Sequence, residues 1–397
     1  MVGRIARSFV LCAVALCILS LIIIFNGAAK TNTLPKIPLK PHKTTLTETA
    51  VNSMKSTTAY GYTTTRSRFS REQILLTLRQ YSDFDKLLDR TCSFTIPGLE
   101  NTFTGKDCQS MVPQGICMTE KYFLTTAYDA DSNCGSVIYA ISNDSERKLK
   151  CVIGLPVKIH AGGITSDGEN IWICGDDEIT ADSRSGIMYS VSAELIDSLI
   201  NSSNHFALID ENALTRYNIS NSASFCTYYK NRLWVGTFTN ISPQESTFGC
   251  IMSYDINSVK HLNGENFLSF DSFILLPNRS QGVCFVEQND ETYMLLSRSF
   301  ARNSHVGKAS FISEIRVYKP TFDPKNPEKL TRKGNAISVL NTPPMIEELC
   351  FDSITNRLYA IFESGASKYS TDSKSQLRRC QYIFDKIAAL DIEQLIG

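Results

Sequence analysis

Apolar residues fall along this chain in three successive patterns. The first is unbroken: Phe9 to Phe25 carries no charge, follows Arg4 and Arg7, and is closed by Asn26, Gly27 and Lys30. Its seventeen residues are many for a signal-peptide core and slightly fewer than the ~20 of a spanning helix. Residues 1–30 therefore read as an uncleaved signal anchor or a cleaved signal peptide, Gly27 and Ala29 being small enough for the cut. Either reading leaves the positive end in the cytoplasm and exports the rest, to an extracytoplasmic domain on the cell membrane or to a secreted protein. The second zone, 31–68, is poor in large apolar residues and holds eleven threonines with Pro35, Pro38 and Pro41. It cannot bury enough surface to offset its ordering entropy, and it reads as a flexible stalk. Over 69–90 the spacing turns helical. Ser70 and Gln73 form a capping-box pattern, followed by Ile74, Leu75, Leu78, Tyr81, Phe84, Leu87 and Leu88 on one face. A stripe this large predicts a helix docked on its own domain.

The third pattern is repetitive and strand-like. Val112-Pro-Gln-Gly-Ile-Cys117 aligns with His160-Ala-Gly-Gly-Ile-Thr165, Ser222-Ala-Ser-Phe-Cys226, Gln281-Gly-Val-Cys284 and Ile346-Glu-Glu-Leu-Cys350. Each start is followed by a polar turn, a second apolar run such as Ile171-Trp-Ile173 or Leu233-Trp-Val235, and a third such as Val137-Ile-Tyr139. A fourth shows in places, as at 150–155 and 273–276. Four short strands per unit at this period predict a β-propeller, and five starts predict five blades over 91–397. No fourth strand remains at the C-terminus. Cys92-Ser-Phe-Thr-Ile-Pro97 resembles 150–156 in pattern, so it is expected to supply the outer strand of the last blade.

As a set, PQGI, HAGGI, SFCTYYKNRLWVGTF and PPMIEELCFD with LYAIFESGASKY resemble exported bacterial propeller proteins of uncharacterised role, and more distantly the YncE-like and SMP-30/lactonase-like propellers. The resemblance covers about 110–397. It implies the fold and says almost nothing of activity, because propellers host hydrolases, lyases and binding modules alike.

Strand direction predicts where a site would lie. First-strand starts and second-strand ends share one face of the ring. They gather Gln114, Tyr128 and Asp129 from the first unit, His160, Asp176 and Asp177 from the second, and Thr237 from the third. The fourth adds Gln281, Arg298 and Arg302, and the fifth Glu347, Glu348 and Glu363. Convergent polar groups in a concave rim make a ligand-site candidate. Within it, Glu347 and Glu348 could serve as acid and base. Arg298 and Arg302 could clamp an anion, or Arg298 could pair with Glu347 or Glu363. His160 is either a ligand contact or a partner of a turn carbonyl.

Composition narrows the function. Forty basic and forty acidic side chains cancel, which argues against a nucleic-acid binder, since that needs a basic surface. H-E-x-x-H, G-x-S-x-G and P-loop motifs are absent, and no C-x-x-C or Cys/His cluster points to zinc; no metal or cofactor is expected. The expectation is a membrane-anchored module that binds a small molecule or a protein, its membrane contact being residues 9–25. A hydrolase or lactonase-like enzyme at the channel rim is the alternative. Among thirteen cysteines, Cys117, Cys226, Cys284 and Cys350 share one first-strand position and read as buried thiols. Cys108 and Cys134 fall in loops on one face of the first blade, within reach of a disulfide.

Overall fold

The structure is a computed structural model that describes residues 63–175, 186–202, 205–239, 249–299, 313–369 and 380–397. The apolar run 9–25 and the segment up to 62 lie outside these residues. Among the described residues no helix is long and apolar enough to cross a membrane.

Two helices, α1 (Arg71–Gln80) and α2 (Ser82–Leu87), replace the single helix expected over 69–90. The capping box forms: the Gln73 amide N–H donates to Ser70 Oγ at 3.3 Å, and the Ser70 N–H donates to Gln73 Oε1 at 2.8 Å. Tyr81 leaves helical geometry at φ −117° and ψ 60°, and Asp83 and Asp85 open the next helix, where acidic side chains favour a new N-terminus. The break turns Phe84 into the core, edge-on to Phe362 at 6.0 Å and Phe384 at 5.6 Å.

Strand β1 (Phe94–Thr95) precedes a hairpin of β2 (Thr102–Phe103) and β3 (Asp107–Cys108). The first repeat unit gives β4 (Met111–Met118), β5 (Tyr122–Asp129), β6 (Val137–Ser142) and β7 (Leu149–Gly154). The second gives β8 (Ile164–Ser166), β9 (Asn170–Gly175) and β10 (Gly186–Ser192), then helix α3 (Ala193–Ser202), β11 (Phe206–Leu208) and β12 (Thr215–Ile219). The third holds β13 (Phe225–Tyr229), β14 (Arg232–Thr237), β15 (Gly249–Leu262) and β16 (Glu265–Leu276). The fourth is β17 (Ser280–Gln288), β18 (Glu291–Arg298), β19 (Ser313–Tyr318), the hairpin β20 (Thr321–Asp323) and β21 (Asn326–Arg332), and β22 (Ala336–Thr342). The fifth is β23 (Ile346–Asp352), β24 (Arg357–Phe362) and β25 (Lys386–Asp391), ended by α4 (Ile392–Ile396).

The fold is a propeller of antiparallel units. Innermost strands β4, β8, β13, β17 and β23 lie beside one another in that order, and β23 returns to β4. A buried apolar cluster fills each gap between neighbouring units. Phe123 of the first and Tyr359 of the fifth, for example, meet edge to face with ring centres 4.6 Å apart. At the outside the sheets depart from plain repetition. β11 adds to β7 in parallel, and β12 pairs in parallel with β16, so the second and third units merge into one eight-stranded sheet.

The chain ends meet in the fifth unit. Phe94 pairs with Ile387 and Thr95 with Lys386, and the Ile96 N–H donates to the Asp385 carbonyl at 3.0 Å. The outer strand expected over 92–97 is thus present but pairs through two residues only. A disulfide joins Cys108 of the entry hairpin to Cys134 of the β5–β6 loop, with Cα atoms 6.5 Å apart. Cys117, Cys226 and Cys284 are buried free thiols and Cys350 is half-buried, close to the sequence expectation.

Candidate functional site

The first-strand starts are irregular in a way the sequence does not announce. A β-bulge interrupts β4 between Pro113 and Ile116, β17 between Ser280 and Gly282, and β23 between Ile346 and Leu349. A bulge inserts one extra residue and re-aims its side chain. The repeat positions Gln114, Gln281 and Glu347 fall on these bulges, followed directly by Gly115, Gly282 and Glu348 on the axis.

Glu348 is fully buried. Its Oε2 accepts the N–H groups of Ile116 and Ile164, each at 2.9 Å, and its Oε1 accepts that of Cys226 at 3.0 Å. One carboxylate therefore joins the inner strands of the first, second and third units to the fifth. The glycines of the repeat explain themselves here. A Cβ on Gly115 would sit 2.9 Å from Glu348 Oε2, one on Gly163 would sit 2.7 Å from Oε1, and one on Gly282 would sit 2.6 Å from the Glu348 Cα. Burial raises this carboxyl well above the ordinary range even against the three N–H donors, which favour its ionised form. With donors on both oxygens and no acceptor for a carboxyl proton among the described residues, the hydrogen bonds fit the carboxylate. Glu348 is a fastening of the ring, not an acid of the rim.

Glu347 and Glu363 form a second, different arrangement. Both are buried and hydrogen-bond each other. Gln281 Nε2 donates to Glu347 Oε1 at 3.1 Å, and Gln114 Nε2 donates to Glu363 Oε2 at 3.3 Å. Burial first, and then each other's charge, raises Glu347 well above the usual carboxylate range. Glu363 is raised less, because Glu347, Lys368, Gln114 and Tyr369 all favour its ionised form. The pair holds one proton between its two carboxyls, since two touching carboxylates cannot both ionise, and Glu347 is the more strongly raised of the two.

Above this floor stand Tyr128, His160, Lys368 and Tyr369. The Tyr128 and His160 rings lie 4.4 Å apart. Lys368 Nζ donates to the Tyr128 hydroxyl at 2.6 Å and lies 5.0 Å from the Tyr369 ring centre. His160 keeps solvent-exposed surface, while the protein packed around it, and then the Lys368 charge, lower its pKa to about 4, so it is neutral at neutral pH.

Gln114, Tyr128, His160, Gln281, Glu347 and Glu363 thus come together as the strand-direction rule expects. The other candidates do not join them. Arg298 lies opposite Glu314 on the adjacent strand, pairs with it, and donates from Nε to the Asn278 carbonyl at 3.0 Å. Its partner there is Glu314 and neither Glu347 nor Glu363. Asp129 binds the loop N–H groups of Asn133 and Cys134 at 2.6 and 2.8 Å, and Thr237 donates to the Ser222 carbonyl. Asp176, Asp177 and Arg302 lie outside the described residues. Lys368 and Tyr369 escaped the sequence reading because they follow the second strand of the fifth unit by several residues. Extending the strand-end rule into the turn after Glu363 would have found them. Among the described residues the one cluster with metal-ligand spacing is Cys108, Asp129 and Cys134, whose two thiols are joined to each other.

No protein-family model and no curated protein matches the chain. Several solved structures are similar at low identity. An α-L-arabinofuranosidase from Lactobacillus brevis is 10% identical with a TM-score of 0.40, over 77% of this chain and 93% of that one. Glutaminyl cyclase from Myxococcus xanthus is 11% identical with a TM-score of 0.35, over 64% and 87%. The β-propeller domain of the Trilobed protease from Pyrococcus furiosus is 9% identical with a TM-score of 0.29, over 68% and 67%. At these values the likenesses carry no activity, substrate or mechanism across.

Proposed function

We propose that the chain is a five-bladed propeller, held outside the cytoplasm on its N-terminal apolar segment and stalk, that binds a small polar ligand at the mouth above Glu347 and Glu363. Within the propellers it is read beside the exported bacterial proteins that its repeats resemble. The observation that carries the binding reading is the convergence of polar side chains from several inner strands: Gln114 on Glu363, Gln281 on Glu347, and the Tyr128 and His160 rings 4.4 Å apart. Gln114, Glu347 and Glu363 are buried, and His160 keeps exposed surface. Amide donors, a shared proton, hydroxyls and aromatic faces then meet at one place, which is how small-molecule sites fix orientation.

One observation favours the alternative, a hydrolase at the rim: Glu347 lies within reach of a second acid, as acid–base chemistry requires. The two carboxyls touch, however, whereas glycosidase carboxyls stand about 5–9.5 Å apart across the bond they cleave. Binding is therefore the preferred reading.

A thermal-shift panel of neutral saccharides, amino acids and alkylamines tests it on the wild-type chain and on Gln281→Ala. A saturable rise in Tm with at least one compound, lost in Gln281→Ala, is the expected result. No shift with any compound, or a shift that Gln281→Ala leaves intact, overturns the reading. Turnover of chromogenic glycosides or lactones that disappears in Glu363→Gln would replace it with the hydrolase.

A further inference from the structure

We infer that Cys108, Asp129 and Cys134 form a zinc site in a chain whose thiols are reduced, a second way of making the tie that the disulfide makes. Nothing in it depends on the mouth. Cys108 ends β3 of the entry hairpin, Asp129 ends β5, and Cys134 lies in the β5–β6 loop. One donor atom from each lies within 4.8 Å of the others, and all three residues are buried. Two sulfurs and a carboxylate oxygen are donors that zinc takes. Two thiolates on one zinc stand about 3.8 Å apart, and a Cα separation of 6.5 Å suits that spacing as well as it suits a bond. No short motif announces the set, because its members come from a hairpin, a strand end and a loop.

The carboxylate is already oriented. Asp129 Oδ2 accepts the N–H groups of Asn133 and Cys134 at 2.6 and 2.8 Å, and Oδ1 accepts that of Asp131 at 3.3 Å. Such partners fix a metal ligand from behind. Thr104 Oγ1, 3.9 Å from Cys108 Sγ, is the hydroxyl beside the fourth position, which water otherwise fills. Two thiolates and a carboxylate leave zinc with one surplus negative charge, and Lys158 Nζ, on the Ser132 carbonyl at 2.9 Å, sets a cation on the same loop.

Two fates are open to the thiols. Losing two electrons and two protons to a disulfide-bearing oxidant, which becomes two thiols, they bond to each other. Losing only the two protons, they bind zinc. The two fates exclude each other, and each fastens the entry hairpin to the first unit. That hairpin follows β1, whose pairing with β25 spans two residues, so either tie holds the strand that closes the ring. Nine other cysteines among the described residues are free thiols, seven of them buried, so the folded chain accommodates reduced cysteine widely.

Titrating the full-length chain, purified and kept in a phosphine reductant, with Co2+ and then Zn2+ tests this. The expected result is one cobalt per chain with thiolate-to-cobalt absorption, bleached by zinc, and a Tm that rises with zinc concentration. Cys108→Ala, Cys134→Ala and Asp129→Asn should each weaken cobalt binding at least about tenfold, and the oxidised chain should show no such absorption. Absence of the band in the reduced wild type overturns the inference. So does a band that survives in Cys108→Ala and Cys134→Ala, because other thiols then hold the metal, or affinity unchanged in Asp129→Asn. Should a variant fail to fold, the oxidised wild type replaces it, and equal cobalt uptake by oxidised and reduced chains overturns the inference equally.

Discussion

Replacing Glu348 by glutamine tests the fastening role with the smallest possible change of shape. In the wild type both carboxylate oxygens accept: Oε2 takes two N–H groups at 2.9 Å and Oε1 takes one at 3.0 Å. A glutamine oxygen placed at Oε2 keeps the first two as neutral bonds, each about 1 kcal/mol weaker than a charge-assisted one. Its NH2 then faces the Cys226 N–H, donor against donor, and a buried unsatisfied donor costs about 1–3 kcal/mol. Against this, the amide escapes the burial cost of a carboxylate, which leaves a net loss of roughly 2–4 kcal/mol. At about 2–4 °C per kcal/mol for a domain of this order of size, Tm should fall by roughly 4–16 °C. Glu347→Gln is the control: the Glu347–Glu363 pair already shares one proton, so an amide at 347 can donate to Glu363 in its place. Differential scanning calorimetry at pH 7 on the two variants gives the comparison. A Glu348→Gln Tm no lower than that of Glu347→Gln would refute the reasoning.

Three further outcomes follow from the geometry. Arg298→Ala leaves buried Glu314 without one of its two arginine partners, so Tm should drop as expected for a broken buried pair worth about 3–5 kcal/mol; Arg316, 2.8 Å from Glu314, sets the lower end of that range, and an unchanged melting curve would show the pair to be ornamental. His160 is held neutral in the folded protein, with its pKa lowered from 6.5 to about 4. Its contribution to stability is present above the unfolded value and lost as pH falls from 6.5 towards 4, and its ring NMR signals should titrate near 4; a midpoint near 6.5 contradicts the enclosed mouth. A chain beginning at 63 should melt like the full-length protein, whereas one beginning at 99 loses the Phe94–Ile387 and Thr95–Lys386 pairing and should not fold cooperatively, which circular dichroism decides.

The repeats were readable because alternation and turn residues are local signals, and each inner strand begins with the same short pattern. Gln114, Gln281, Glu347 and Glu363 were readable because strand direction alone places them on one face. What Glu348 does was not, since its partners are backbone N–H groups from three other units and carry no side-chain signature. Arg298 was misassigned for a related reason: its true partner depends on the register that sets it opposite Glu314. The merging of the second and third sheets rests on a parallel pairing of two residues on each strand, Tyr217 and Asn218 with Asn266 and Phe267, too brief to leave a pattern. Helix α3 interrupts the strand alternation after β10, and its buried Ile196 and Ile200 are too few to stand out.

The single glutamate on the axis also limits how this chain can be rebuilt. Its units share a short starting pattern, but they are not interchangeable: the first, second and fourth carry glycine where the fifth carries acid, and each glycine leaves the room that the acid fills. A sequence averaged over the repeats would write glycine everywhere and leave Ile116, Ile164 and Cys226 with buried donors and no acceptor. One that wrote glutamate everywhere would crowd like charges into a space shaped for one. Shuffling or idealising the units therefore has to treat the fifth as unique, and the asymmetry at this position is a condition of the ring's closure.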